Sequence, residues 1–235
     1  MKPMRDSTIE QLLDRQARLW ESQQRATPKD VAPDRANVTV SGQPFSGARE
    51  LADKVAEFVG WEVFDRQILE ALNERDALGR RALGALDERL LNYREDLLYH
   101  MFVPDHVSSS GYLHRLSRLV LSLAIRGKII FVGRGAGFIV PAEHRVAVLA
   151  VRSFDSRIVR MPQRGDSSPT KARRQLLRFD RERSDFVRRS FHREVNDPLA
   201  YDVCVNLDTL SLDVAARIVI ECLRSRFPDD AISTG

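Results

Sequence analysis

The sequence predicts an α/β domain: a parallel sheet of five strands with helices on both faces. Three observations carry that prediction. Short strand-like runs, "VTVS", "KIIFV", "RVAVLAV" and "YDVCVN" among them, are separated by stretches with helical spacing and not by hairpin turns. "KIIFV" and "RVAVLAV" are apolar without alternation, as strands covered on both faces require. A chain of 235 residues is also long enough to bury one such core.

Residues 7–25 place Ile9, Leu12, Leu13, Gln16 and Trp20 along one side of an amphipathic helix. "TPKDVAPDRAN" follows as a linker with prolines at 28 and 33, so residues 1–36 are expected as an arm docked on the domain or on a partner subunit. The domain itself is expected over 37–227, with a flexible tail at 228–235. Its first strand is placed at 38–41, and a helix from Ala48 to Val59 should bury Leu51, Val55, Phe58 and Val59. "GWEVFD" holds a short strand at 62–64 that ends at Asp65, and "RQILEALNE" opens the next helix. Residues 79–126 read as a helical insertion, broken by "VPDHVSSSG" and closed by a helix ending at Gly127. Strands follow at 129–133, 146–151 and 203–206. Between the last two lies a lid region, 155–193, in which "MPQRGDSSPT" reads as a mobile loop leading into a helix from about Lys171. "SLDVAARIVIECLRSRF" forms the last helix.

The formal charge of +4 is unevenly placed: Arg152 to Arg193 carries 13 Lys and Arg against 5 Asp and Glu. Nearly all of these cations are arginine, whose planar donors suit phosphate oxygens. An anionic ligand or an ion-paired, solvated helix face accounts for the pattern equally well. Aromatic residues for base stacking are sparse there, which argues against nucleic acid. No apolar run reaches the roughly 20 residues of a membrane span, and the N-terminus does not read as a secretory signal. Cys204 and Cys222 sit in apolar patterns and are expected as reduced core thiols, which fits a cytoplasmic location.

Between the first strand and its helix, Gly42 and Gly47 have the spacing of a phosphate-binding loop. Such a loop turns backbone N–H groups toward a phosphate, and the helix start adds donors and a favourable partial charge. Ser46 can add a hydroxyl. The lysine and hydroxyl residue that normally follow are replaced by Ala48 and Arg49, so the unmodified mechanism is disfavoured. An ordinary tight strand-to-helix connection is the competing reading.

Further blocks recur in a fixed order. "VTVSGQPFSGARELADKVAEFVGWEVFDRQIL", "ALGALDERL", "IIFVGRGAGFIV", "FDRERSDFVRRSF" and "DPLAYDVCVNLDTLSLDVAARIV" together resemble the cytidylate kinase-like family, a branch of the nucleoside monophosphate kinases. The resemblance runs from Val38 to Phe227. It implies a P-loop nucleoside monophosphate kinase-like fold and a loop in which arginine stands after the missing lysine, as Arg49 does. It also implies ATP as phosphoryl donor, with Mg2+ held largely by phosphates and water, since no protein ligand set for the ion is legible. Gly42, Gln43, Ser46, Gly47, Ala48 and Arg49 would then form the donor cradle.

Arg134, in "VGRGAG", would contact the acceptor monophosphate, or else serve as a structural arginine paired with Asp65 or a strand-end carbonyl. Asp65 would stand at the acceptor end, with a helix N-cap as its competing role. Arg157 and Arg183 are the implied catalytic cations of the lid, with Arg181 and Arg188 on the substrate side and Arg160 and Arg164 nearby. Arg160 and Arg181 have ion pairing with Asp180 or Asp185 as an alternative. Pro44 and Phe45 depart from the family loop, where a glycine commonly precedes the serine; the ring would narrow the cradle or cover it. The activity implied is ATP-dependent phosphoryl transfer to a nucleoside monophosphate or related small acceptor, cytidylate among them. A regulator that binds nucleotide without catalysis is the alternative. Homodimerisation, through the first helix or the 79–126 insertion, is left open.

Overall fold

A computed structural model describes residues 36–65, 110–162 and 168–228. The chain forms two compact units, one of residues 34–65 with 127–235 and one of residues 1–33 with 66–126. Within the first unit, strand β1 (Asn37–Gly42) leads through a tight loop into helix α1 (Ala48–Val59) and then β2 (Glu62–Phe64). The second unit is described only by α2 (Ser110–Arg126), whose buried Leu116, Leu119, Val120 and Leu123 follow the helical repeat. The expected arm, the helix after Asp65 and most of the 79–126 insertion lie outside the described residues.

The first unit continues with β3 (Ile129–Val132), the short α3 (Ala136–Ile139), β4 (Arg145–Val151), α4 (Phe154–Arg160), the long α5 (Pro169–Phe191), β5 (Val203–Asn206) and α6 (Leu212–Arg226). The five strands form one sheet in the order β2-β3-β1-β4-β5, and every pairing is parallel. Val40 lies level with Val132, Gly42 with Ala150, Phe64 with Phe131 and Val151 with Asn206. That register aligns the carboxyl ends of the strands, where a parallel sheet collects its loops.

Alternation along β1 divides its side chains between two covered faces. Val38 and Val40 enter a core with Leu51, Ala52 and Val55 of α1 and Ala215, Val219 and Leu223 of α6. Each large aliphatic side chain in it contributes about 1.5–3 kcal/mol of burial free energy. Asn37, Thr39 and Ser41 point the other way and are also buried. There α3 comes close: a Cβ on Gly137 would stand 3.2 Å from the Thr39 hydroxyl.

Several expectations need adjustment. Phe58 and Val59 are half-buried, because the apolar stripe of α1 is centred on Leu51, Ala52 and Val55. The third strand stops at Val132, where the backbone turns left-handed at Gly133 (φ 75°). Cys204 is exposed and Cys222 half-buried, so the two free cysteines are not core thiols. The reason is position: β5 is an edge strand, and an apolar run does not reveal whether a strand is central or at the margin. No described helix is long and apolar enough to cross a membrane.

Candidate functional site

The loop after β1 turns back sharply on itself. A Cβ on Gly42 would stand 2.4 Å from the Ala48 Cβ and 2.7 Å from the Ser46 Oγ, so only glycine fits this return. The Ser46 N–H donates to the Gln43 carbonyl at 3.0 Å, closing a turn around Pro44 and Phe45. Phe45 holds a left-handed conformation (φ 64°), rare for a residue with a bulky side chain. Its ring packs against Phe179 of α5, with centroids 6.1 Å apart. The aromatic side chain is thus an attachment point between the loop tip and the long helix.

Helix α1 starts from Gly47 (φ 100°) with no side-chain cap. By contrast α4, α5 and α6 are capped by Ser153, Ser168 and Ser211. Ser46 is 1% exposed, and its Oγ has no hydrogen-bond partner among the described residues. A buried hydroxyl left unpaired costs about 1–3 kcal/mol. An uncapped helix start beside it is the arrangement that accepts an anion. These groups fit a phosphate. Among the described residues, no group of three His, Cys, Asp or Glu side chains could hold a metal ion.

Three arginines near this loop, Arg49, Arg160 and Arg157, are already paired with carboxylates. Arg49 turns along α1 to Asp53, with Nε to carboxylate oxygens at 2.8 and 3.0 Å, and its Nη1 reaches Asp65. The structure therefore brings Arg49 and Asp65 together as an ion pair at the β2 end. Arg160 of α4 pairs with Glu50 of α1. Arg157, 3% exposed, grips both oxygens of Asp180 on α5 at 2.8 and 2.9 Å. Its Nη1 also makes a long 3.5 Å contact to the Pro44 carbonyl.

Arg183 lies in the same neighbourhood. It donates to the Asn196 Oδ1 at 2.9 Å, and burial lowers its pKa, with Tyr201, Asp180 and Arg157 acting on it as neighbours. Burial likewise pushes the Tyr201 phenol up, and its hydroxyl donates to the Val195 carbonyl at 2.7 Å. Arg181 is exposed, and Arg188 is an exposed partner of Glu194 at 3.0 Å. Arg164 lies outside the described residues.

Arg134 sits between Gly133 and Gly135, and all three residues are left-handed, with φ of 75°, 52° and 71°. The half-buried Arg134 follows β3 after one residue, Gly133, so it stands at the same sheet end as the loop after β1. Gly135 has a packing reason for lacking a side chain. A Cβ there would fall 2.3 Å from the ring of Phe191, which stacks on Phe138 of α3.

One residue of the site was not singled out from the sequence. Arg152 follows the last residue of β4, and its Nε donates to the Ser46 carbonyl at 3.0 Å. Its backbone N–H approaches the Gln43 Oε1 at 3.4 Å, and its Nη1 lies 3.6 Å from Asp208. Asp208 also accepts the Ser153 N–H at 2.7 Å, and hydrogen bonds from the Ser153 hydroxyl and N–H hold its carboxyl below the ordinary value. The available signal was an arginine directly after the apolar run Val146–Val151; its target depends on the strand order, which places β4 beside β1.

Comparison with known proteins agrees with this architecture. Residues 37–209 match the model of the cytidylate kinase-like family. Among solved structures, an uncharacterized protein from Eubacterium ventriosum is similar at 18% identity and a TM-score of 0.64, over 81% of this chain and 99% of that one. Shikimate kinase from Bacteroides thetaiotaomicron aligns at 14% identity and a TM-score of 0.48, over 80% of this chain and 98% of that one. Comparison with curated proteins gives no match. With its match running from the first residue of β1 to the turn after β5, through every strand of the sheet and the loop at Ser46, the chain belongs to the cytidylate kinase-like family.

Proposed function

We propose that the protein transfers the γ-phosphoryl group of ATP to a small phosphorylated acceptor, a nucleoside monophosphate by family and cytidylate as the first to try. The observation that carries this reading is the buried, unpartnered Ser46 hydroxyl at the uncapped start of α1. In the proposed reaction the bond between the γ-phosphorus and its bridging oxygen breaks, and a bond to an acceptor phosphate oxygen forms. The products are ADP and a diphosphate. Such a transfer asks for alignment and charge, with little covalent work by the protein.

Gly42, Gln43, Gly47 and Ala48 would cradle the donor phosphates through backbone N–H groups, and Ser46 through its hydroxyl. Arg49 would act through Asp65, which it fixes at the acceptor side. Arg134 would meet the acceptor phosphate, Arg157 and Arg183 the transferring group, and Arg181 and Arg188 the rim of the site. Mg2+ arriving with the triphosphate would supply further neutralisation of its charge.

A second reading, nucleotide binding without turnover, is favoured by the loop tip. Pro44 has no N–H to offer, and that of Ser46 is spent on Gln43. No lysine follows Gly47. Incubation with ATP, Mg2+ and a panel of nucleoside monophosphates, followed by direct product analysis, separates the two. Diphosphate formation supports transfer, ATP binding without product supports the second reading, and absence of ATP binding contradicts both.

A further inference from the structure

A phosphate loop without its lysine needs another cation, and each described arginine around this loop has a different degree of freedom. Ala48 offers no charge; its methyl group packs on Gly42. Arg49 is held between two carboxylates, Asp53 and Asp65. Arg157 is clamped by both oxygens of Asp180, and Arg160 is paired with Glu50. Arg152 differs. Its only carboxylate contact among the described residues is the 3.6 Å approach to Oδ1 of Asp208, whose other oxygen accepts the Ser153 N–H. Its Nε is anchored on the Ser46 carbonyl, and its Nη2 lies 3.7 Å from where a Cβ on Gly47 would stand. The guanidinium therefore lies against the loop at the residue that opens α1, bonded to the backbone carbonyl of the residue whose own hydroxyl is unpartnered.

From this geometry we infer that Arg152, reaching in from the end of β4, is the loop's phosphate-binding cation and stands in for the absent lysine. The inference rests on the proposed ATP site and adds a residue to it. Arginine suits the task because one N–H holds the loop while the others face a ligand. Asp208 then acts as a counter-charge that a polyphosphate displaces. A guanidinium that only braced the Ser46 carbonyl would need its donor and not its charge.

The test uses the full chain and measures affinity for ATP and for inorganic tripolyphosphate by calorimetry. The substitutions are Arg152→Gln, which keeps an N–H donor and removes the charge, Arg152→Lys, which restores charge, and Asp208→Asn. Thermal melts confirm that each variant is folded. The expected result is a loss of at least tenfold for both ligands in Arg152→Gln and partial recovery in Arg152→Lys. Asp208→Asn should bind both ligands more tightly, and that gain should disappear when combined with Arg152→Gln. If Arg152→Gln does not fold, Arg152→Lys and Asp208→Asn decide: retained binding in the first with tighter binding in the second supports the assignment. Wild-type affinity in a folded Arg152→Gln, or no gain from Asp208→Asn, overturns it and leaves the ATP site standing. Failure of the wild type to bind either ligand overturns the ATP site and Arg152 together.

Discussion

Arg157 and Asp180, on α4 and α5, are joined by two parallel hydrogen bonds of 2.8 and 2.9 Å, with the guanidinium almost wholly buried. This pair fixes the long helix against the tip of the phosphate loop, since Phe179 beside it packs on Phe45 and Arg157 reaches the Pro44 carbonyl. Removing one partner leaves the other desolvated and uncompensated. Asp180→Ala should lower stability by about 2 kcal/mol, below the 3–5 kcal/mol of a fully buried pair because the carboxylate is partly exposed. Urea titration checks the value, and added phosphate should restore more stability to the variant than to the wild type. No destabilisation would mean that the helix is held by its apolar contacts alone.

Phe45 has two opposing consequences, and they can be separated. Its left-handed backbone costs about 1–2 kcal/mol for a residue with a Cβ, whereas its ring gains contact with Phe179. Phe45→Ala loses the ring and keeps the backbone cost; Phe45→Gly loses the ring and removes the cost. The glycine variant is therefore expected to be the more stable of the two by about 1 kcal/mol, read from their melting curves. Equal stability would contradict the strain.

Gly135 is held empty by Phe191. Gly135→Ala puts a methyl group 2.3 Å from the ring at a left-handed position, and should cost about 2–3 kcal/mol. Adding Phe191→Ala should recover part of that loss, because the steric share disappears and the backbone share stays. Additive losses in the double variant would refute the contact.

Asp208 links stability to pH. Its folded carboxyl lies below the ordinary value, chiefly through hydrogen bonds from the Ser153 hydroxyl and N–H. A depressed folded pKa contributes stability above the unfolded pKa, and that contribution is lost as pH falls through the folded one. The melting-temperature difference between wild type and Asp208→Asn should therefore be constant near neutrality and shrink below about pH 4. A constant difference across that range would show that the carboxylate is not favoured by folding.

The outline of the sheet and the loop of the candidate site were legible because they depend on local pattern. Gly42 and Gly47 bracket the loop, the apolar runs give the strands, and the helix from Ala48 to Val59 falls where its repeat places it. What the sequence could not supply were relations across the fold. Arg157 and Asp180 stand 23 residues apart and meet only because α4 and α5 pack together. Arg152 reaches Ser46 across 106 residues because β4 lies beside β1. Phe45 stood out as a foreign residue in the loop, but the direction of its ring follows from Phe179. The exposure of Cys204 follows from the edge position of β5, which no single strand reveals.

Phosphoryl transfer at the loop of Ser46 is the activity from which the roles of the surrounding residues follow. Phosphorus NMR of the full chain with ATP, Mg2+ and cytidylate tests it most directly, with the other nucleoside monophosphates run in parallel. ADP and a nucleoside diphosphate should appear in equal amounts with at least one acceptor, and Ser46→Ala should react much more slowly. ATP that stays intact with every acceptor, or that yields only free phosphate, would contradict it.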